Sequence, residues 1–378
     1  MIDRIIDLAW NFPLLPRQQG LWAQYLTAAM QASAAEPVES QRPSFRTVEL
    51  SLRQRAATLL GFPVERTWII LGGHHGNLNA LLASGLAGTR IAMDAVTYPG
   101  FLDQCLMTKT AIDAIPIDAE GIIPSALREA CLRARAQGHP IRGLFTMPTV
   151  QNPIGFVTPL HTRLAVVEIA REFDLIIIED DAYGFMQHDA PANYAILAPE
   201  RTFYVRGLAK SLAPGARTGF LIAPETATEA LTMSLKGTAT GTNVPQNMAA
   251  IAMMEDGTLD RLMVEKNTEG ALRNREARTL LHGQAAPGAP NAWHLWIPLP
   301  SNFDLAALEQ KITSADVMVT MGHWSAAAPA YANGMRLALG AEIDRATTLE
   351  GIRRIAEILH NGGGIASDRG AKSCSQLR

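Results

Sequence analysis

Short apolar runs alternate with amphipathic stretches between about residue 66 and residue 225. WIILGG (68–73) and LIIIEDDAYG (175–184) each contain consecutive large apolar residues, which is typical of strands that are buried on both faces of a sheet. Between such runs the apolar residues recur at helical spacing, as in LHTRLAVVEIAREF (160–173). This alternation predicts an α/β fold with a mostly parallel sheet between two layers of helices.

The pattern changes after Pro245. The next stretch has helical spacing and many charges, and after it come shorter strand-like and helix-like segments that end with LEGIRRIAEILH (349–360). We therefore expect a smaller α+β domain at the C-terminal end. The predicted divisions are an N-terminal arm that belongs partly to the small domain (1–45), a large domain (46–250), a connecting helix (251–282), a small domain (283–361) and a disordered, glycine-rich tail (362–378).

Side chains that can carry chemistry follow the predicted strands at their carboxyl ends. Open α/β sheets bind their ligands in the crevice at this edge. Tyr98 precedes Pro99, which keeps its backbone extended, so its ring either stacks on a flat ligand or caps a turn. The candidate residues of this edge are Gly73, His74, Tyr98, Asn152, Asp180, Tyr183 and Lys210.

Lys210 lies among small and apolar residues in FYVRGLAKSLAPGARTGF (203–220), which offers it no partner charge. Most lysines are solvated surface residues, and this is the simplest alternative. A lysine that is held in an apolar setting has a lowered pKa and a free amine, which a Schiff-base nucleophile requires. Arg217 follows in the same stretch, and its planar guanidinium suits a phosphate group.

Each remaining candidate has a structural and a functional interpretation. The turn before Gly73 is either a plain connection or an anion site, because the first N–H groups of a helix are unpaired. His74 and His75 are adjacent but have no third partner, which favours hydrogen bonding or ring stacking over metal binding. Asp180 ends a buried strand either as an N-cap or as a ligand group. Arg336 lies in the apolar strand MRLALG, either at an edge facing water or pointing at an anion in a cleft; its neighbours favour the cleft.

Composition narrows the class of protein without identifying it. The chain has 378 residues, of which 48% are hydrophobic and 18% are charged, as in an ordinary globular enzyme. Its net charge of −3 gives no electrostatic reason to expect nucleic acid or a membrane surface as a partner. No apolar run approaches the roughly 18 residues of a membrane span. The three cysteines lack metal-site spacing, so we expect no metal site and a reducing, cytoplasmic setting.

Taken in order, the motifs resemble those of fold-type I pyridoxal-phosphate enzymes of the class I/II aminotransferase group. More narrowly, the chain is similar to the aminotransferase-like domain of MocR-type regulators, over roughly residues 40 to 360. The motifs are GGHHG, TYPG, PTVQNPIG, IIIEDDAYG, ERTFYVRGLAKSLAPGARTGF, AWHLWIPLP, VMVTMGHWSAAAP and NGMRLALGA. The winged-helix half of such regulators is not matched, because the chain begins where its linker would end. This favours a stand-alone enzyme.

The resemblance implies pyridoxal 5′-phosphate as the cofactor and a catalytic group of three residues. Lys210 matches the lysine that forms the internal aldimine and then moves the proton between the substrate Cα and the cofactor C4′. Asp180 matches the aspartate that keeps the pyridine nitrogen protonated, so that the ring accepts electrons. Tyr183 matches the tyrosine that hydrogen-bonds the ring oxygen O3′.

The same resemblance implies the residues that bind cofactor and substrate. Asn152 shares the O3′ contact and also faces the substrate, and Tyr98 stacks on the ring. Gly73 and His74 match the helix-start backbone that holds the phosphate, and Arg217 matches its charged partner. Arg336 binds the substrate α-carboxylate in bidentate fashion, and the Asn152–Pro153 peptide bond is expected to be cis.

Three departures from the family pattern concern the phosphate site. Gly207 and Ala209 stand where the family usually has serines before the lysine, and His74 stands where glutamine is more usual. The tyrosine that a neighbouring subunit usually offers has no clear counterpart. Each missing neutral hydrogen bond is worth about 1 kcal/mol, so we expect weaker cofactor retention.

The expected activity is transfer of an amino group between an L-amino acid and a 2-oxo acid. Two alternatives stay open, because cofactor motifs do not select the reaction. One is another reaction of the same cofactor, such as decarboxylation, elimination, cyclisation or oxidation. The other is a module that senses the cofactor or an amino acid without turnover. The family also implies a homodimer with the active site near the subunit interface.

Overall fold

The computed structural model describes residues 5–35 and 47–361. The predicted disordered tail (362–378) lies outside these ranges, as do the parts of the predicted N-terminal arm before residue 5 and after residue 35. Within the described ranges, none of the helices combines the length and the apolar character of a bilayer span.

The secondary structure follows the predicted alternation. The strands are β1 (Ile6–Asp7), β2 (Thr67–Ile70), β3 (Arg90–Asp94), β4 (Ala111–Ile115), β5 (Ile117–Asp118), β6 (Gly121–Ile122), β7 (Gly143–Thr146), β8 (Ile176–Asp180), β9 (Thr202–Gly207), β10 (Gly219–Ile222), β11 (His294–Pro298), β12 (Val317–Met318), β13 (Thr320–Met321) and β14 (Gly334–Ala338). The helices are α1 (Gln18–Ala35), α2 (Thr47–Leu60), α3 (Gly73–Ala83), α4 (Pro99–Met107), α5 (Pro124–Ala136), α6 (Leu160–Glu172), α7 (Tyr194–Leu197), α8 (Thr228–Thr238), α9 (Val244–Glu255), α10 (Thr258–Leu280), α11 (Leu305–Ser314) and α12 (Arg345–His360).

A seven-stranded sheet with the order β2-β10-β9-β8-β7-β3-β4 forms the centre of the fold. β10 is antiparallel to both of its neighbours, and the other paired strands of this sheet run parallel. Successive side chains of a strand point to opposite faces. Accordingly, Phe145 and Ile178 pack in one apolar cluster, and their neighbours Leu144 and Ile177 pack in another. The prediction of a mostly parallel sheet with a core on both faces is confirmed.

The C-terminal part contains a three-stranded antiparallel sheet with the order β11-β14-β13. VMVTMG (317–322) reads as one strand in the sequence, but the structure divides it between two sheets. β12 pairs in parallel with β1 near the N-terminus, whereas β13 pairs with β14. Ile6 and Leu8 pack in the same apolar cluster as residues of β11, β14 and α12, which ties the N-terminal segment to this sheet. The domain boundaries themselves stay a prediction.

Candidate active site

A cleft of about 590 Å³ lies where β2, β8 and β9 end. Its wall is formed by strand-end loops of the central sheet, by the segment from Ala9 to Phe12, and by residues of β13 and β14. Every residue that the resemblance assigns to cofactor or substrate lies on it: Gly73, His74, Tyr98, Asn152, Asp180, Tyr183, Lys210, Arg217 and Arg336. The structure therefore brings the whole candidate set to one place, while the role of each residue stays a prediction.

Lys210 projects into the cleft with its amine held by the N-terminal segment. Nζ donates to the carbonyl oxygen of Asn11 at 2.5 Å and lies 3.5 Å from the centre of the Phe12 ring. No carboxylate of the described residues forms a salt bridge with it. Burial, and next the nearby Arg336 cation, lower the pKa of Lys210 to about 7. Near neutral pH a large share of this amine is therefore unprotonated and able to act as a nucleophile.

Asp180 is the one of two consecutive aspartates that faces the cleft. Its carboxylate accepts hydrogen bonds from Asn77 Nδ2 at 2.6 Å and from the Ala182 N–H at 3.0 Å. Burial raises its pKa to about 6, and these hydrogen bonds act in the opposite direction. Asp181, in contrast, accepts a hydrogen bond from the Tyr204 hydroxyl. Asp180 therefore offers a buried carboxylate to a cationic N–H group of a ligand.

The start of α3 forms the part of the cleft that suits an anion. Gly72 has φ of 82°, in the region that glycine tolerates best, and α3 begins at Gly73. The first N–H groups of a helix have no intrahelical partner and carry the positive end of its dipole. Arg217 lines the same cleft and forms no salt bridge with any described carboxylate. His74 Nδ1 lies 3.4 Å from the Tyr98 hydroxyl, and burial lowers the pKa of His74.

Arg336 is a buried cation without an acidic partner. It is 8% exposed and donates to Asn152 Oδ1 at 2.9 Å, to Thr320 Oγ1 at 3.0 Å and to the Ala9 carbonyl oxygen at 2.5 Å. Among the described residues, Nε has no hydrogen-bond partner and no carboxylate forms a salt bridge with the guanidinium. Burial lowers its pKa. A buried guanidinium of this kind binds an anion that enters the cleft.

The remaining candidates form the rest of the wall. Tyr98 immediately precedes α4, and its extended backbone (φ −70°, ψ 118°) agrees with the position before Pro99. Burial raises the pKa of Tyr98 to about 12 and also raises the pKa of Tyr183, so both hydroxyls are neutral at physiological pH. The peptide bond between Asn152 and Pro153 is cis, as expected.

Four residues near the cleft escaped the sequence interpretation. Asn11 and Phe12 contact Lys210, yet they lie in the predicted N-terminal arm, for which the sequence indicates no role in the site. His294 is 1% exposed beside Asn11, although the sequence shows only a polar residue in an apolar strand. Lys266 donates to the carbonyl oxygens of Lys210 and Leu212, but it resembles a solvated charge on a helix. The hydrogen bonds of Asn11 to Tyr183 and to His294 span 172 and 283 positions, which no local pattern reveals.

Comparison with known proteins identifies the family. The profile described as aminotransferase class I and II matches residues 3–355, and the chain belongs to this family. It is 27% identical over 304 residues to the uncharacterized HTH-type transcriptional regulator YjiR of Escherichia coli (strain K12), which is 77% of this chain and 63% of that protein. It is 26% identical over 281 residues to aromatic-amino-acid aminotransferase 1 of Thermococcus litoralis, which is 72% of this chain and 67% of that protein. The chain thus spans less than two thirds of the first of these relatives.

Solved structures agree with the fold. An archaeal alanine:glyoxylate aminotransferase superposes with a TM-score of 0.83 at 22% identity, covering 95% of this chain and 91% of that one. A kynurenine aminotransferase of Pyrococcus horikoshii gives a TM-score of 0.82 at 23% identity, covering 96% of this chain and 92% of that one. Both are fold-type I enzymes, so the predicted fold class is confirmed.

Members of this family use pyridoxal phosphate, and the cleft fits that group. Its aldehyde requires an amine without an acidic partner, which Lys210 provides within the described part of the chain. Its pyridine nitrogen requires a buried carboxylate, which Asp180 provides. Its phosphate requires N–H donors and a cation, which the start of α3 and Arg217 provide.

Proposed function

We propose that this protein is an aminotransferase that exchanges an amino group between an L-amino acid and a 2-oxo acid with pyridoxal 5′-phosphate. The observation that carries the proposal is that the Lys210 amine and the Arg336 guanidinium, neither of which forms a salt bridge with a described carboxylate, share one cleft with the buried Asp180 carboxylate. One of these groups is a lysine whose pKa is lowered to about 7, and the other is a guanidinium with an unpartnered Nε. Amino acids and 2-oxo acids share the carboxylate that such a guanidinium binds.

When bound, the cofactor supplies an electron sink for the charge that develops at the substrate Cα. Lys210 would hold the cofactor through its amine, and the same amine would take up the proton from the substrate Cα. Asp180 would keep the ring nitrogen protonated, since its own pKa near 6 leaves it largely ionised at neutral pH before a cation approaches. Arg336 and Asn152 fix the substrate carboxylate, because the Asn152 oxygen already holds the guanidinium at 2.9 Å. Tyr98 would cover the ring face of the cofactor, and Tyr183 would donate a hydrogen bond to its ring oxygen.

The substrate side chain is proposed to be uncharged. The ionisable side chains of the cleft, with the exception of His74, each serve the cofactor or the α-carboxylate in this assignment. Several apolar and aromatic residues also line the cleft: Ala9, Trp10, Phe12, Val319 and Trp324. A second carboxylate on the substrate would find no cation here, whereas an apolar or aromatic side chain would bury surface.

The family resemblance also supports a homodimer, the net charge of −3 gives no electrostatic reason to expect nucleic acid as a partner, and the scattered cysteines support a cytoplasmic setting. These points are part of the proposal. Light scattering of the purified chain tests the first, with twice the mass of the 40.8 kDa chain as the expected result.

Transamination is tested by supplying the cofactor, a panel of amino donors and a 2-oxo acid, and by measuring both the new 2-oxo acid and the new amino acid. Equal amounts of the two products support amino transfer, and Lys210→Ala serves as the control without the essential amine. Release of carbon dioxide or ammonia, or consumption of oxygen, would instead establish another reaction of the same cofactor. Binding of the cofactor without any product would establish a sensing module.

A further inference from the structure

A buried chain of polar groups leads from a backbone carbonyl to the hydroxyl of Tyr183. His294 Nε2 lies 2.9 Å from the carbonyl oxygen of Gln151, and His294 Nδ1 lies 3.0 Å from Asn11 Nδ2. The same Asn11 nitrogen donates to the Tyr183 hydroxyl oxygen at 2.9 Å. Asn11, Tyr183 and His294 are 4%, 2% and 1% exposed, so bulk water does not replace these contacts.

Only one order of donors and acceptors satisfies this chain. A carbonyl oxygen accepts but never donates, so the hydrogen of the His294 ring must reside on Nε2. Burial lowers the pKa of His294 to about 3, so the ring is neutral and its Nδ1 is an acceptor. Asn11 must therefore turn its amide nitrogen toward His294, since the opposite orientation would place its oxygen against the Nδ1 lone pair.

The amide oxygen of Asn11 supports this order. It is buried and has no hydrogen-bond partner among the described residues. If the amide oxygen of Asn11 determined the orientation of the side chain, that oxygen would have a hydrogen-bond partner. The orientation is thus set by His294, whose own orientation is set by the Gln151 carbonyl.

We propose that Asn11 is a positioning residue that directs the hydroxyl hydrogen of Tyr183 into the cleft. This inference rests on the proposed function, in which Tyr183 donates to the oxygen of the cofactor ring. Because the Tyr183 oxygen already accepts a hydrogen bond from Asn11, its own hydrogen must find an acceptor elsewhere. No other described residue hydrogen-bonds this hydroxyl, and burial raises the pKa of Tyr183, which keeps the hydrogen in place.

The proposal has a measurable consequence for the bound cofactor. A hydrogen bond donated to the ring oxygen stabilises its deprotonated form, and therefore lowers the pH at which the visible absorbance band of the bound cofactor titrates. Asn11→Asp keeps the size of the side chain but replaces its donor with acceptors. Tyr183 would then donate to the new carboxylate instead of the ring, and His294 would take up a second proton to face it.

The experiment combines absorbance titration of the cofactor-loaded protein with ¹⁵N NMR of the histidine rings in the cofactor-free protein. For Asn11→Asp we expect the pH midpoint of the band to rise by about one unit, because a shift of that size corresponds to the free energy of about one hydrogen bond. We also expect His294 to change from the neutral Nε2–H form to the doubly protonated form. An unchanged midpoint in Asn11→Asp, or an Nδ1–H form of His294 in the unaltered protein, would overturn the proposal.

Two further variants make the outcome decisive. Asn247→Asp places a carboxylate at another fully buried asparagine, which does not line the cleft, and should leave the midpoint unchanged. Asn11→Ala removes the donor without burying a charge and should raise the midpoint by less than Asn11→Asp; no rise would again overturn the proposal. If the midpoints shift as expected but no amino acid is turned over, the proposed function fails while the positioning role stands.

Discussion

Gly207 and Gly73 are packed backbone against backbone, and a Cβ atom on Gly207 would lie 2.7 Å from the Gly73 nitrogen. The end of β9 therefore touches the start of α3 directly. This contact explains why a serine is absent at position 207, where the family usually has one. The backbone nitrogen of Gly73 lies where a side chain of residue 207 would otherwise stand, so the proposed phosphate site would rely more on backbone N–H groups and less on hydroxyl groups.

The first prediction follows from this contact. Gly207→Ser should displace the start of α3, weaken cofactor binding at least tenfold and lower the melting temperature. Ala209→Ser is the matched variant, because Ala209 lines the cleft and its Cβ already has room. The added hydroxyl should tighten cofactor binding by about 1 kcal/mol, roughly fivefold. Equilibrium dialysis measures the cofactor affinity of each variant, and thermal unfolding measures its melting temperature. Tighter cofactor binding in Gly207→Ser would contradict the inference that residue 207 has no room for a side chain.

The second prediction concerns which amine reacts with the cofactor. Burial lowers the pKa of both Lys210 and Lys266 to about 7, but only Lys210 lines the cleft. Borohydride reduction of the cofactor-loaded protein should therefore attach the cofactor to the peptide that contains Lys210. Lys210→Ala should lose this adduct in mass spectra, while Lys266→Met should retain it. Labelling of Lys266 would show that the lowered pKa, rather than the position in the cleft, determines which lysine reacts with the cofactor.

Much of this site was predictable because strand ends and glycine turns are local signals. Lys210, Asp180 and Asn152 each follow an apolar run that the sequence marks as a buried strand, and such ends meet at one edge of a parallel sheet. Arg336 was predictable from the contrast between its charge and its apolar neighbours. The division of VMVTMG was not predictable, because it depends on pairing with β1 more than 300 positions away.

The contacts of Asn11 could not be predicted for a related reason. Its stretch, WNFP, has neither strand alternation nor helical spacing, and its partners are Lys210, Tyr183 and His294. Lys266 shows the opposite difficulty, since a lysine in a charged helix is ordinarily solvated. Its burial depends on how α10 packs under the Lys210 turn, which is a property of the tertiary fold.

The third prediction is the pH dependence of cofactor capture. The amine of Lys210 must be neutral to attack an aldehyde, and its pKa is lowered from 10.5 to about 7. The capture rate of the cofactor-free protein should therefore rise with pH and level off above about 7, rather than continue to rise toward 10. The Arg336 cation is one cause of the lowered pKa, so Arg336→Met should move this midpoint upward. Stopped-flow absorbance measures both midpoints, and a downward shift would contradict the assignment.

The fourth prediction separates the charge of Arg336 from its geometry. Arg336→Met removes one partner of a buried charged pair, which costs about 2–5 kcal/mol of binding free energy. KM for amino acids should rise accordingly, with a smaller change in kcat. Arg336→Lys keeps the charge but cannot hold Asn152, Thr320 and a carboxylate with one planar fork, so KM should stay at least tenfold above that of the unaltered protein. Steady-state kinetics with several amino donors checks this. An unaltered KM in either variant would remove Arg336 from carboxylate binding.

The last prediction concerns Lys266, which supports the turn that carries Lys210. Its amine donates to the carbonyl oxygens of Lys210 at 2.9 Å and Leu212 at 3.2 Å, and it is fully buried. Lys266→Met leaves these carbonyls without their donor, so we expect a lower kcat and a raised pKa of Lys210, because the Lys266 cation helps to lower it.

Stability measurements give an independent check on Lys266. Burial lowers its pKa from 10.5 to about 7 in the folded state. Between these pH values the unfolded chain binds more protons than the folded chain, so the contribution of Lys266 to the free energy of unfolding rises with pH across this window. Below pH 7 both states are protonated and the buried charge is at its most unfavourable. Urea unfolding should therefore show that the unaltered protein gains stability relative to Lys266→Met between pH 7 and 9. A constant difference would mean that the folded and unfolded states bind the same number of protons at Lys266, as an amine that is solvated in the folded protein would.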